Sequence, residues 1–179
     1  MIRMLLTVVA TFSLGCATAN QFSYTPILSA SLVGAQGVVQ AFKDKQVQEK
    51  NLIGCYTTSA LYSALGAANG AISDWAKGKQ TYFPGVDVDV SECMKLVPVE
   101  GLPLSEQAQN NVRILAGPVV EMANAALANT KATCQEKLIA SAVTHYLGSI
   151  VDIIMKEVVI PKGKITLPSL SINFTPCNS

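Results

Sequence analysis

The sequence predicts a mainly α fold: a four-helix up-down bundle with short extended segments and two disulfides. Half of the 179 residues are apolar and only 14% are charged. Apolar residues recur at the helical spacing of three and four in four long segments. Four of the five cysteines are spread over the chain after residue 50. A chain of this length can bury a single core without help from a metal.

The first fifteen residues have the composition of an export signal. Arg3 precedes the apolar run MLLTVVATFSL, which has the length of a signal-peptide h-region and is too short to cross a bilayer. Two alternative cleavage sites are compatible with this segment. The small residues at 17–19 suit an ordinary signal peptidase, which would cleave after Ala19 and release a soluble periplasmic or secreted protein.

The other cleavage site depends on the motif SLGC, residues 13–16. Gly15 followed by Cys16 resembles the lipobox of bacterial lipoproteins. Ser13 departs from that motif, in which the same position usually carries Leu, Val or Ile. The resemblance implies that residues 1–15 are a signal peptide, that Cys16 is acylated with palmitate-type chains, and that residues 16–25 tether a domain over 26–179 to a membrane. Ala17 in place of Asp implies the outer membrane.

Both cleavage sites remove Cys16 from thiol chemistry, and the even number of remaining cysteines indicates disulfides in an oxidising compartment. Their wide spacing contains no C-x-x-C, so we expect no metal. In an up-down-up-down bundle the starts of helices 2 and 4 share one end, and the 2–3 connection and the tail share the other. We therefore expect Cys55–Cys134 and Cys93–Cys177, each closing a loop of about 80 residues and contributing about 4 kcal/mol.

The helices follow one another along the chain. We expect helix 1 over 26–51, helix 2 over 52–79 with Gly78 as its end, helix 3 over 104–130, and helix 4 over 133–159. Ser105 is the expected N-cap of helix 3, and Pro118 is expected to kink its middle. Helix 2 is predicted at the centre of the bundle because small residues form a seam along it: Ile53, Thr57, Ala60, Ala64, Ala67 and Ala71.

Two segments outside the helices alternate apolar and polar residues, as half-buried strands do. One is YFPGVDVDVSECMKLVPV before helix 3, and the other is KITLPSLSINF after helix 4. The two segments could pair with each other. Pro168 confines that pairing to an edge or a bulged register.

Candidate catalytic and metal-binding groups are few. His145 has Ser141 and Ser149 four residues away on either side, but no G-x-S-x-G turn accompanies them. The acids at 87, 89 and 92 are spaced like the start of a calcium loop, yet Glu92 occupies the position that needs Gly, and Pro98 that of the bidentate acid. We therefore expect no cofactor, no bound metal and no enzymatic activity.

Residues 51–73 contain no charge and are long enough to cross a bilayer. Several Ser, Thr and Asn side chains among them favour a packed central helix in water over a membrane span. If the span were formed, a membrane-inserting oligomer would follow.

Aromatic residues cluster after helix 2. Trp75, Tyr82 and Phe83 are a candidate partner or ligand surface, or a cover for the open end of the bundle. The motif NFT at Asn173 would matter only in a eukaryote.

The expected function is that of an exported, lipid-anchored envelope protein that serves as a non-catalytic structural or accessory subunit. The net charge of +1 provides no basic field for nucleic acid and does not oppose self-association. The expected partners are the membrane, other envelope proteins and further copies of the chain. The alternative function is a carrier of a lipid or other apolar ligand in the bundle.

Overall fold

The computed structural model describes residues 24–79, 82–97, 103–159, 161–173 and Cys177. Within them the mainly α class, with short strands and two disulfides, is confirmed. The expected signal peptide, the lipobox-like motif and Cys16 lie outside the described residues. The elements in chain order are α1 (Tyr24–Gln48), α2 (Leu52–Ala76), β1 (Tyr82–Phe83), β2 (Val86–Asp89), a 3-10 turn (Cys93–Lys95), α3 (Leu104–Ala128), α4 (Cys134–Glu157), β3 (Lys164–Leu167) and β4 (Leu170–Ser171).

α2 is the central helix, as its seam of small residues predicts. Fifteen of its 25 residues are buried, and it packs against each of the other three helices. The Asn51 side chain accepts a hydrogen bond from the Gly54 backbone N–H (2.9 Å) and so caps the first turn. Gly78, with a positive φ of 72°, follows the last turn, where a residue without a Cβ adopts the left-handed conformation at low cost.

α1 runs antiparallel to both α2 and α3. The Ser29 hydroxyl donates to Asn69 near the end of α2 (2.7 Å). The Ser31 hydroxyl contacts the Met122 sulfur near the end of α3 (2.6 Å). The start of α1 therefore lies at the same end of the bundle as the last turns of α2 and α3.

α2 and α3 run parallel to each other, so helix direction does not alternate at every step. Asn111, early in α3, donates to the Thr57 hydroxyl early in α2 (3.3 Å). The segment between these helices returns along the bundle, since Asn51 forms a β-bridge with Val97. The short 129–133 connection then makes α4 antiparallel to α3, and α4 lies antiparallel to the central helix.

α3 begins one residue before the expected cap and is not interrupted at its proline. Its N-cap is Pro103, so the expectation that Ser105 caps the helix was wrong. The helix continues through Pro118. Pro118 lacks an N–H for the carbonyl of residue 114, and both Ile114 and Pro118 are solvent-exposed, where water can satisfy that carbonyl.

α4 starts with a capping box. The Thr133 hydroxyl accepts from the Glu136 backbone N–H (3.2 Å), and the Glu136 carboxylate accepts from the Thr133 backbone N–H (2.9 Å). These two bonds satisfy backbone N–H groups at the helix start that have no hydrogen-bond partner within the helix. The apolar face predicted for this helix is buried or half-buried: Leu138, Ile139, Ala142, Val143, Tyr146, Leu147, Ile150, Ile153 and Ile154.

The two alternating segments pair with each other, as their patterns predict. β2 and β3 form an antiparallel ladder from Val86↔Leu167 to Asp89↔Lys164. β1 and β4 form a second one, in which Phe83 pairs with Leu170. The ladders are interrupted on both sides, at Pro84–Gly85 and at Pro168–Ser169, which agrees with the restriction expected from Pro168. The tail thus runs back along α4.

The expected disulfide pairing was wrong. The bonds are Cys55–Cys93 and Cys134–Cys177, and not Cys55–Cys134 and Cys93–Cys177. The expectation assumed that the connection after α2 stays at the far end of the bundle. Because this connection returns to the start of α2, Cys93 reaches Cys55, and because the tail returns along α4, Cys177 reaches Cys134.

Candidate interaction surface

The expected aromatic surface is divided by the fold. Phe83 is fully buried and stacks on Tyr146, with 5.1 Å between ring centroids, so its assignment to a partner or ligand surface was wrong. Trp75 is half-buried, and Tyr82 is 47% exposed. Phe83 instead joins the strand segment to α4, and the three aromatic residues do not form one exposed cluster.

His145 lines a shallow groove between α4 and the tail. The groove has a volume of about 200 Å³ and is lined by Leu138, Ser141, Ala142, His145 and residues 170–173. The Ser149 hydroxyl donates to the backbone carbonyl of His145 (3.0 Å) and so lies away from the ring nitrogens. Among the described residues no acid is recorded in contact with His145, and the Ser–His–acid arrangement of hydrolases is not assembled there.

Asp87 and Asp89, two of the three acids that are spaced like the start of a calcium loop, lie in β2. Asp87 contacts Lys164 (2.7 Å) and accepts from the Thr166 hydroxyl (2.8 Å), and these hydrogen bonds lower the pKa of its carboxyl. Asp89 accepts from the Ser91 backbone N–H (2.9 Å), which lowers its pKa as well. Within the described parts of the chain, no three His, Cys, Asp or Glu side chains are grouped so that they could hold a metal ion.

Two tyrosines are buried in the core. Burial raises the pKa of both Tyr56 and Tyr146 to about 12, and the negative charge of Glu157 adds to the effect at Tyr56. The Tyr146 hydroxyl donates to the Pro84 carbonyl (3.5 Å). The Tyr56 hydroxyl forms no hydrogen bond of standard geometry, although the nearby Lys162 backbone N–H partly opposes the rise in its pKa. Phenols with such pKa values stay protonated near neutral pH and are poor proton acceptors.

The uncharged stretch 51–73 forms most of the central helix. By length and composition, one helix in the described part of the chain could cross a membrane, and this is α4, with a mean hydropathy of 1.6 and 39% of that window buried. The buried positions of α4 pack against the other helices and β3.

The solvent-facing side of α1 is the most unusual surface. The helix carries no charged residue between Tyr24 and Lys43. We call its exposed residues in this region the α1 outer face. They are Pro26, Ala30, Val33, Gly34, Gly37, Val38 and Ala41.

The α1 outer face is apolar and unoccupied by the described parts of the chain. Val33 is 53% and Val38 is 46% exposed. A Cβ built on Gly34 or Gly37 would meet no atom within 4 Å. Surface helices normally place charged and polar residues on this side, and a contiguous exposed apolar surface usually marks an interaction site.

α3 also carries exposed apolar residues, at a similar height along the bundle. Ile114 is 55% exposed, and Pro118 is exposed as well. The contact between Ser31 and Met122 sets the relative height of the antiparallel helices α1 and α3. Val38 lies seven residues after Ser31 on α1, and Ile114 lies eight residues before Met122 on the antiparallel α3. The two residues are therefore within one residue of the same position along the bundle axis.

Sequence reasoning missed the α1 outer face, although the signal was present. The helical spacing of its apolar residues predicts helix 1, and Leu28, Leu32 and Val39 among them are buried. The opposite side was not compared with an ordinary surface helix. The run of nineteen residues from 24 to 42 without a charge would have found it.

The chain was compared with known proteins on sequence and on structure. No family model, no curated protein and no solved structure matches it. The functional argument therefore depends on the geometry described above.

Proposed function

We propose that this chain is an exported, lipid-anchored protein that serves as a non-catalytic structural or accessory subunit of a bacterial envelope assembly. The α1 outer face carries the proposal. It is an uncharged, small-residue surface on a folded domain whose core is already closed, and such surfaces bury themselves against another protein.

The two disulfides support export. They join all four cysteines of the described domain, and such bonds persist in oxidising compartments such as the bacterial periplasm. Together with the apolar segment before residue 15, they favour a mature domain outside the cytosol.

The position of α1 supports the tether. α1 begins at Tyr24, eight residues after Cys16, and eight extended residues span about 27 Å at most. An acylated Cys16 would hold this end of the bundle close to the membrane surface. The α1 outer face would then be available to neighbouring envelope proteins.

The alternative function, a carrier of an apolar ligand, has less support. The groove beside His145 has about 200 Å³, which is below the roughly 300–1,000 Å³ of typical ligand pockets. The seam of α2 leaves no cavity along most of its length, since Ile53, Ala60 and Ala64 are fully buried in the core cluster.

The anchor is tested by intact-mass analysis of the mature protein and by membrane fractionation. We expect an acylated N-terminus at Cys16, and release of the Cys16→Ala variant from the membrane. Ala19→Leu, which damages only the ordinary cleavage site, should change nothing. An unmodified mature protein that starts at Asn20 would overturn the lipid anchor.

The role as a subunit is tested by placing a photo-crosslinking residue on α1 in intact cells. We expect Val33, on the α1 outer face, to give protein crosslinks identified by mass spectrometry. Val47 is a matched control, because it is 46% exposed on the same helix but lies among charged residues. Absence of protein crosslinks at Val33, or equal crosslinking at both positions, would contradict the proposal.

A further inference from the structure

The residue types of the α1 outer face follow the same order along the helix in both directions. Going along the helix, its six central residues are Ala30, Val33, Gly34, Gly37, Val38 and Ala41. Reversing the helix exchanges Ala30 with Ala41, Val33 with Val38, and Gly34 with Gly37. All six are exposed.

We propose that this face binds α1 of a second copy of the chain, antiparallel, about a two-fold axis that passes between Gly34 and Gly37. In a two-fold interface the same patch is used by both subunits, so each contact between two residues occurs twice with the roles exchanged. An antiparallel pair centred on this axis places each residue level with its mirror-related counterpart. Identical residues then meet in every layer.

The spacing fits close packing of two helices. Ala30, Gly34, Gly37 and Ala41 are separated by four, three and four residues, which is the spacing of a coiled-coil seam. Side chains this small allow two helix backbones to approach closely. Glycine is the least favourable residue in a helix interior apart from proline, and the open space around Gly34 and Gly37 leaves room for a second helix.

The charges beside the face agree with the same axis. Counting from the Ser31–Met122 contact, the height midway between Gly34 and Gly37 corresponds to residues 117–118 of α3. The exposed residues Arg113 and Glu121 are centred on residue 117. Around the two-fold axis, Arg113 of each copy would lie level with Glu121 of the other, so the order of the charges along α3 is complementary between the two copies.

A second copy fits this surface better than a lipid bilayer does. Helices that lie in the membrane interface carry Trp, Phe or Leu on the apolar side and Lys or Arg beside them. The α1 outer face contains only Ala, Gly, Val and Pro, and no basic residue lies on α1 before Lys43. The proposal deepens the proposed function by naming its partner, and it rests on that function only in treating the α1 outer face as a protein interface.

The first test is the oligomeric state of the purified mature protein by analytical ultracentrifugation. We expect a dimer for the wild-type chain and a monomer for Gly34→Leu, because the added side chain would separate the two helices. Gly148→Leu is the matched control. Gly148 is an exposed helical glycine with no atom within 4 Å of a built Cβ, but it lies on α4, so this variant should stay dimeric. Circular dichroism should show each variant folded.

The second test is disulfide crosslinking between differently tagged copies in intact cells. Ala30→Cys on one copy and Ala41→Cys on the other should crosslink, since they share a layer. Ala30→Cys on both copies should not, because eleven helical residues separate the two positions by about 16 Å, and a disulfide needs Cα atoms within roughly 7 Å.

The outcomes separate the pairing from the proposed function. A monomeric wild-type protein, or crosslinking of Ala30→Cys with itself, would overturn the antiparallel pair. If Val33 then crosslinked only to other envelope proteins, the proposed function would stand without the pairing. A dimer that lacks the lipid anchor would support the pairing and overturn the anchor.

Discussion

The two disulfides should differ sharply in their resistance to reduction, although they close loops of nearly equal length. Cys55 and Cys93 are each 2% exposed. Cys134 is exposed, and Cys177 is half-buried. Because a reducing thiolate must reach a sulfur atom, we expect Cys134–Cys177 to open first while the bundle stays folded.

The sequence separations of the two bonds set the size of the effect on stability. They are 38 residues for Cys55–Cys93 and 43 for Cys134–Cys177. The chain-entropy relation gives about 4 kcal/mol for each bond. Domains are commonly stable by about 5–15 kcal/mol, so the loss of one bond leaves a folded bundle. Replacing the buried Cys55–Cys93 pair by alanine also removes packed atoms from the core, so it should lower the free energy of unfolding by more than replacing Cys134–Cys177.

The assay is brief treatment of the native protein with dithiothreitol, followed by alkylation and peptide mapping. Alkylated Cys134 and Cys177 should appear before alkylated Cys55 and Cys93. The two double-alanine variants are then compared by urea unfolding. The free energy of unfolding should fall further in Cys55→Ala/Cys93→Ala than in Cys134→Ala/Cys177→Ala. Equal reduction rates for the two bonds, or earlier opening of Cys55–Cys93, would refute the reasoning.

Three further outcomes are expected. Thr133→Ala removes the capping box of α4 and should lower the free energy of unfolding by about 1 kcal/mol, measured by urea denaturation; an unchanged midpoint would contradict the cap. Gly54→Ala should destabilise by about 1–3 kcal/mol, because its Cβ would overlap the buried Gln46 side chain, whereas Gly148→Ala, in open space, should stabilise by about 1 kcal/mol. The pKa of Tyr56 is raised from 10.0 to about 12, so its contribution to stability is complete below pH 10 and is lost as the pH rises through about 12. Tyr56→Phe should flatten this alkaline loss in thermal melts without destabilising the protein at pH 7, since its hydroxyl forms no hydrogen bond of standard geometry; a large loss at pH 7 would contradict that.

Local patterns predicted the elements of this fold well. The periodicity of α4 identified its buried side, and the alternation around Val86 and Ile165 identified strands that pair with each other. Both signals depend on residues that are neighbours in sequence. The period of apolar residues is set by the geometry of a single helix or strand, so it could be read without knowing the tertiary arrangement.

The direction of α3 could not be predicted in the same way. It depends on the path of the segment after α2, whose described residues 82–97 return along α2 and meet its start through the Asn51–Val97 bridge. No local pattern states where a connection of this length ends. The disulfide pairing and the exposure of Phe83 both followed from the wrong path, because each depends on where that segment packs.

The candidate surface was predictable in part. The absence of charge from 24 to 42 is a property of the sequence alone. That the described parts of the chain leave these residues uncovered depends on the tail, whose residues 164–171 could have packed against α1 and instead lie beside β1, β2 and α4. The burial of most of the seam of α2 was predictable, because its small side chains let neighbouring helices approach closely.

The start of α1 determines how such a pair would meet a membrane. The helix begins at Tyr24, between eleven and twelve residues from the proposed two-fold axis, so the two starting points would be about 35 Å apart at opposite ends of the dimer. An upright bundle would raise one anchor far above the bilayer. If both copies carry the proposed anchor, a tether of about 27 Å cannot make up a height difference of about 35 Å, so the helix axes would have to tilt strongly towards the membrane plane, which would make the pair a low, wide layer and not a stalk.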